Sequence, residues 1–253
     1  MAGNYDYLND QQTGQQSGDI VGSSTDPGFF VTFNDNGAAS STDGTIGFRV
    51  RLDEHGGATG KPAFDRVLWV GVDANLNGTI DAFLGVNTQG NSQEISIFAP
   101  GTGANDSPNT TTISNTSYKT YAADSTNYNY RPVDYTTDGG TTNDMTPATT
   151  GDPDYYVSFM VPFADVVSFL AGKKINITDQ TALQYVVATS TQTNSLNQDL
   201  GGVNGGINST TTWKNLGGFT QVVNMSGTVV PEPSGLLLSM ASLLGLALVR
   251  RRS

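Results

Sequence analysis

Between Thr45 and Leu52 the chain alternates, with Ile46, Phe48, Val50 and Leu52 on one side and Gly47, Arg49 and Arg51 on the other. Successive side chains of an extended strand point to opposite faces, so this period of two specifies a strand with one apolar face and one wet face. Such a strand needs a second layer to cover it. The run Val67-Leu68-Trp69-Val70-Gly71-Val72 is apolar throughout. It reads as a central strand covered on both sides, with Trp69 in the core.

Further short strands are expected at 29–33, 82–86, 95–98, 155–161 and 183–189. Residues 101–154 are rich in Thr, Asn, Ser, Gly and Asp. A structureless loop of that length is unusual in a compact domain, so at least two short strands are expected there. The pairs Tyr118/Tyr121 and Tyr128/Tyr130 mark them as edge strands. Pro162 ends a ladder, and 163–170 has helical spacing closed by Gly172. The expected fold is all-β, an antiparallel, jelly-roll-like β-sandwich with one short helix, plus a C-terminal hydrophobic helix. Residues 1–27 read as a polar, flexible lead-in, 28–225 as the sandwich and 226–253 as a separate tail. The order of strand, Pro162 and short helix, following an apolar strand pair around an aspartate-rich turn, resembles the DOMON and carbohydrate-binding-module-like sandwiches. Those families carry that unit as a landmark. The haem ligands of some DOMON members cannot be placed, because His55 is the only histidine.

The tail reads Val229-Val230-Pro231-Glu232-Pro233-Ser234, then an uncharged apolar run over 236–249, then Arg250, Arg251 and Arg252. Pro231 and Pro233 hold the segment extended, and the arginines would stay cytoplasmic under the positive-inside bias. The run is shorter than the roughly 20 residues of a comfortable bilayer span, which leaves a buried core helix as the alternative. It is apolar on every face, however, and ends in a basic stub. The order of motif, apolar helix and basic cluster closely resembles the PEP-CTERM sorting signal of Gram-negative bacteria. The resemblance implies an exosortase and the inner membrane as partners, with Pro231, Glu232, Pro233 and Ser234 as the sorting motif and Arg250, Arg251 and Arg252 as the membrane stop. It also implies export to the cell surface or extracellular matrix. Residues 1–10 have no basic n-region and no apolar stretch, so a secretory leader is expected upstream of Met1.

Net charge is −11, and a nucleic-acid partner is not expected without a basic face. There is no cysteine, so thiolate metal sites are excluded. Of 23 acidic residues only Glu54, Glu94 and Glu232 are glutamates; the other 20 are aspartates, which favour turns and cation loops. Asp73-Ala74-Asn75-Leu76-Asn77-Gly78-Thr79-Ile80-Asp81 follows the D-x-[DN]-x-[DN]-G pattern of calcium loops. Side-chain oxygens of Asp73, Asn75, Asn77 and Asp81 and the Thr79 carbonyl would converge on Ca2+. Leu84 replaces the usual bidentate glutamate and no helix flanks the loop. A bare Asx-rich hairpin turn is the alternative, since Asn-Gly is itself a strong hairpin signal.

Catalysis is not expected. His55 lies in a polar loop where solvation is its ordinary fate, with no G-x-S-x-G elbow to partner it. A secreted glycoside hydrolase would need two carboxylates across a cleft, and no local signature selects a pair. Trp213, Tyr128 and Tyr130 lie in polar surroundings where they could stack on sugar rings. The expected role is therefore a non-catalytic, exported surface or matrix protein, with a carbohydrate-binding module, taking an extracellular polysaccharide, as the alternative.

Overall fold

The computed structural model describes residues 5–10, 15–35, 42–58, 61–105, 112–146, 152–205 and 211–224. Pro231, Glu232, Pro233, Ser234, Arg250, Arg251, Arg252 and the apolar run between them lie outside the described residues. Among the described residues no helix is long and apolar enough to cross a membrane.

The chain is mostly β. Its strands are β1 (Phe29–Asn34), β2 (Thr45–Leu52), β3 (Gly57–Ala58), β4 (Lys61–Pro62), β5 (Val67–Asp73), β6 (Ala82–Asn87), β7 (Glu94–Pro100), β8 (Ile113–Ala122), β9 (Tyr128–Pro132), β10 (Tyr155–Pro162), β11 (Gln184–Ser190) and β12 (Asp199–Leu200). Among the described residues, helices α1 (Tyr135–Asp138) and α3 (Trp213–Leu216) are single turns, and only α2 (Phe163–Ala171) is longer. One sheet has the order β1-β2-β10-β9 and the other β12-β11-β5-β6-β7-β8, while β3 and β4 form a small hairpin. All pairings are antiparallel.

The two sheets share one core. Ile46, Phe48, Val50 and Leu52 of β2 meet Leu68, Val70 and Val72 of β5 and their neighbours Leu84, Val86, Tyr185 and Val187. The opposite side of the six-stranded sheet is buried as well. Val67, Trp69, Phe83, Val186 and Ala188 lie under Leu196, Leu200, Val203 and Trp213. Every residue of β5 is therefore buried, as its unbroken apolar sequence requires. Gly85 faces Trp69 across the β5/β6 register, and a Cβ there would lie 2.2 Å from the indole Cε3. The ring occupies the space a side chain would fill. At the end of β10, Pro162 leads straight into α2, whose Phe163, Val166, Phe169 and Leu170 are buried.

Three expectations change. The region 101–154 holds its two strands, each at a sheet edge as expected, but β8 is long rather than short. The lead-in is stitched into the fold where described: Asp6 bridges Gly22, Ile20 bridges Leu52, and Ile20 and Val21 are buried. The outer face of β2 is only half wet. Arg49 is partly exposed, whereas Arg51 is 1% exposed because the segment around Thr142 and Asp154 covers it.

Candidate functional site

The loop from Asp73 to Asp81 joins β5 to β6 and closes on its own side chains. Asp73 Oδ1 accepts from the Asn77 N–H at 3.2 Å and Oδ2 from the Gly78 N–H at 2.8 Å. Asn75 Oδ1 accepts from the Asn77 N–H at 3.2 Å, and Asn77 Oδ1 accepts from the Thr79 N–H at 2.8 Å and from the Thr79 hydroxyl. Asp81 Oδ2 accepts from the Ala74 N–H at 2.9 Å. Leu76 (φ +58°) and Gly78 (φ +81°) take the left-handed conformations that the tight reversal demands. Burial, and next to it the charge of Asp73, raise the Asp81 carboxyl against the pull of the Ala74 N–H and Lys173. The expected ligand residues thus share one loop with two carboxylates, and the loop is already held by backbone donors.

Two other groups of acids, invisible as local motifs, are more concentrated. Carboxylate oxygens of Asp10, Asp19 and Asp199 lie within 4.8 Å of one another, as do those of Asp53, Asp144 and Asp154, and either trio could hold a metal ion. One member of the second trio, Asp154, is paired with a cation supplied by the chain. The Arg51 Nε donates to Asp154 Oδ2 at 2.5 Å, its Nη1 lies 3.5 Å from Asp26 Oδ1, and its Nη2 donates to the Thr142 carbonyl at 2.9 Å. Burial opposes ionisation of Asp26. Donors from Thr141, Thr25 and Thr142 outweigh it and hold that carboxyl well below the usual range. Burial pushes the Asp154 carboxyl up to about 7 while Arg51 pulls against it. Asp53, fully buried, accepts from the Thr146 hydroxyl and is raised by burial.

The first trio has Asp6 beside it. Asp6, Asp19 and Asp199 are 3%, 0% and 2% exposed, and Asp10 is half-buried. Backbone donors hold them: Asp6 Oδ1 accepts from Gly202 N–H at 2.9 Å, Asp10 Oδ2 from Gly205 N–H at 2.9 Å, Asp19 Oδ2 from Asn9 N–H at 2.8 Å and Asp199 Oδ2 from Ile20 N–H at 2.6 Å. Burial, then the charges of Asp199 and Asp10, push the Asp6 carboxyl well above its usual range. Burial, then Asp10 and Asp19, do the same to Asp199.

The aromatic residues divide differently from expectation. Trp213 is 1% exposed, and its indole N–H donates to the Ala104 carbonyl at 2.9 Å. It belongs to the core over the six-stranded sheet and cannot stack on a sugar; its polar sequence neighbours hid this. Tyr128 and Tyr130 sit on the inward side of edge strand β9, half-buried against the shared core. The Tyr130 hydroxyl accepts from the Gly56 N–H at 3.1 Å. Burial pushes the Tyr128 hydroxyl up to about 12, with Thr88 opposing. Both rings border a cavity of about 450 Å3 with Phe64, Gln93 and Asp124. His55 is not a solvated loop side chain: only 15% exposed, it packs edge-on to Tyr155 at 5.6 Å.

A second cavity, of about 440 Å3, lies over the outer face of the four-stranded sheet. Its floor is formed by cross-strand rows, Phe30-Arg49-Ser158-Asn129 and Thr32-Gly47-Met160. Arg49 is fixed there by a hydrogen bond to Ser158 Oγ at 3.1 Å and by stacking over Tyr156 at 5.1 Å. Comparison of the chain with protein-family models, curated proteins and solved structures finds no match.

Proposed function

We propose that the protein is a non-catalytic, exported module of the bacterial cell surface or extracellular matrix. An exosortase at the inner membrane would receive it through a PEP-CTERM-like tail, with calcium stabilising the folded body. The observation that carries this reading is the C-terminal order of Pro231-Glu232-Pro233, uncharged apolar run and tri-arginine stub. The acid-rich body supports the calcium part, because an all-oxygen donor set suits a hard divalent cation. Among its donors are Asp73, Asn75, Asn77, Asp81 and the Thr79 carbonyl. Replacing Pro231, Glu232 and Pro233 by alanine in a host with an exosortase should leave uncleaved, membrane-held protein. Unchanged release into the medium would remove the sorting reading.

The groove over the four-stranded sheet favours a second reading, a carbohydrate-binding module. It offers a held guanidinium, hydroxyl and amide groups beside the apolar Phe30 and Met160, the mixture that sugar rings require. None of the described residues lining it is acidic, which supports binding over glycoside hydrolysis. Arg49→Ala should weaken retention on a polysaccharide column at least several-fold. Equal retention of wild type and variant would eliminate the groove.

A further inference from the structure

We propose that Asp10, Asp19 and Asp199, with Asp6 beside them, form a divalent-cation site, with calcium the fitting ion, that clamps the N-terminal segment to the edge of the six-stranded sheet. The site is separate from the Asp73–Asp81 loop and does not depend on the export reading.

Geometry comes first. The oxygens of Asp10, Asp19 and Asp199 lie within 4.8 Å of one another. A calcium ion holds its ligands at about 2.3–2.6 Å, so two ligands of one ion stand at most about 5 Å apart. An ion between the three is therefore within reach of all of them after small side-chain adjustments. The second observation is Asp6. Its residue is 3% exposed, its Oδ2 is buried and accepts no hydrogen bond among the described residues, and its carboxylate feels both Asp199 and Asp10. Asp10 Oδ1 is likewise buried without a donor among the described residues. Among the described residues Asp6, Asp10 and Asp199 form no ion pair with a basic side chain, and Arg66, whose Nε passes close to Gly18, is paired with Asp65 at 2.9 Å. Buried carboxylates of like charge are stable only when protonated, paired or metal-bound. Two unsatisfied carboxylate oxygens beside a group of like charges call for a proton or a cation and would repel another acceptor.

The donor chemistry narrows the ion. With carboxylate oxygens alone and neither histidine nor cysteine, the set is hard and favours calcium or magnesium over zinc. The backbone N–H groups of Asn9, Ile20, Gly202 and Gly205 already fix the carboxylates in an irregular array. Calcium tolerates irregular coordination, whereas magnesium demands a near-ideal octahedron. Half-buried Asp10 is the open side through which the ion enters. The ligands come from 6–10, from Asp19 and from β12, so the ion ties together segments far apart in the sequence.

The test uses the full-length protein stripped with EDTA. Millimolar calcium chloride should raise its melting temperature by several degrees. Terbium chloride, a calcium substitute excited through nearby tyrosines, should give sensitised emission, because Tyr5 and Tyr7 flank Asp6. Asp10→Asn, at the open side where folding tolerates it, should lower terbium affinity at least tenfold. Asp199→Asn should remove the part of the calcium shift that survives Asp73→Asn with Asp81→Asn, and that loop pair should leave the emission intact. Absence of both the shift and the emission in the wild type overturns the site. So does emission that survives Asp10→Asn and Asp199→Asn but disappears with the loop pair, because the hairpin loop would then be the binding site.

Discussion

The two buried acid clusters are built from the same side chain at similar depth and differ in one component. Around Arg51 the chain supplies the cation, and Asp154 and Asp26 close on a guanidinium held further by the Thr142 carbonyl. Around Asp199 the bonds described to Asp6, Asp10 and Asp199 come from backbone N–H groups. N–H donors ease the burial of a carboxylate but carry no net charge, so repulsion between neighbours persists. One cluster is a self-contained strut for the outer face of the smaller sheet. The other requires protons or a metal, which makes the N-terminal segment sensitive to the medium.

Removing the internal cation should have the largest effect. Arg51→Met leaves buried carboxylates without their partner and should cost about 3–5 kcal/mol in chemical denaturation. Adding Asp154→Asn to that variant should recover part of the loss. A cost below about 1 kcal/mol would mean that Arg51 is not what holds the cluster.

The next test is pH, in EDTA. Asp154, raised to about 7, binds more protons in the folded than in the unfolded chain between its ordinary value and that figure. Stability should therefore fall as pH rises through that window, and the raised carboxyls of Asp6 and Asp199 act in the same direction. Asp26 has the opposite sign: its contribution is present above its ordinary value and disappears in stronger acid. The melting temperature should peak on the acid side of neutrality, and Asp154→Asn should flatten its decline toward alkaline pH. A steady rise from pH ~5 to ~8 would show that Arg51 keeps Asp154 ionised throughout.

An exposed ion pair should set the lower end of the scale. Lys119 meets Asp165 at 2.8 Å with its side chain 47% exposed, and Asp165 also accepts from the Tyr121 hydroxyl at 2.6 Å. Lys119→Ala should cost no more than about 1 kcal/mol. A larger loss would show that charge at the sheet surface matters as much as charge within it.

Much of the fold was readable because its signals are local. The alternation at β2, the unbroken apolar run of β5 and the passage from Pro162 into α2 each report the burial of neighbouring residues. Trp213 was misread for the same reason: its neighbours are polar, while its cover comes from Ala104 and the distant sheet. Of the candidate site, only the Asp73–Asp81 loop has a spacing that sequence can display, because all its donors lie on one turn.

The sequence alone determined that the chain pairs strands into layers, that β5 is covered on both faces, and that aspartate dominates its acids. Each follows from backbone periodicity or side-chain length, which act over a few residues. The tertiary structure decided which aspartates are buried together and which of them meet Arg51. The link from the Ile20 N–H to Asp199 spans 179 residues. Desolvation and repulsion depend on the distance between charges in space, and no pattern along the chain encodes it.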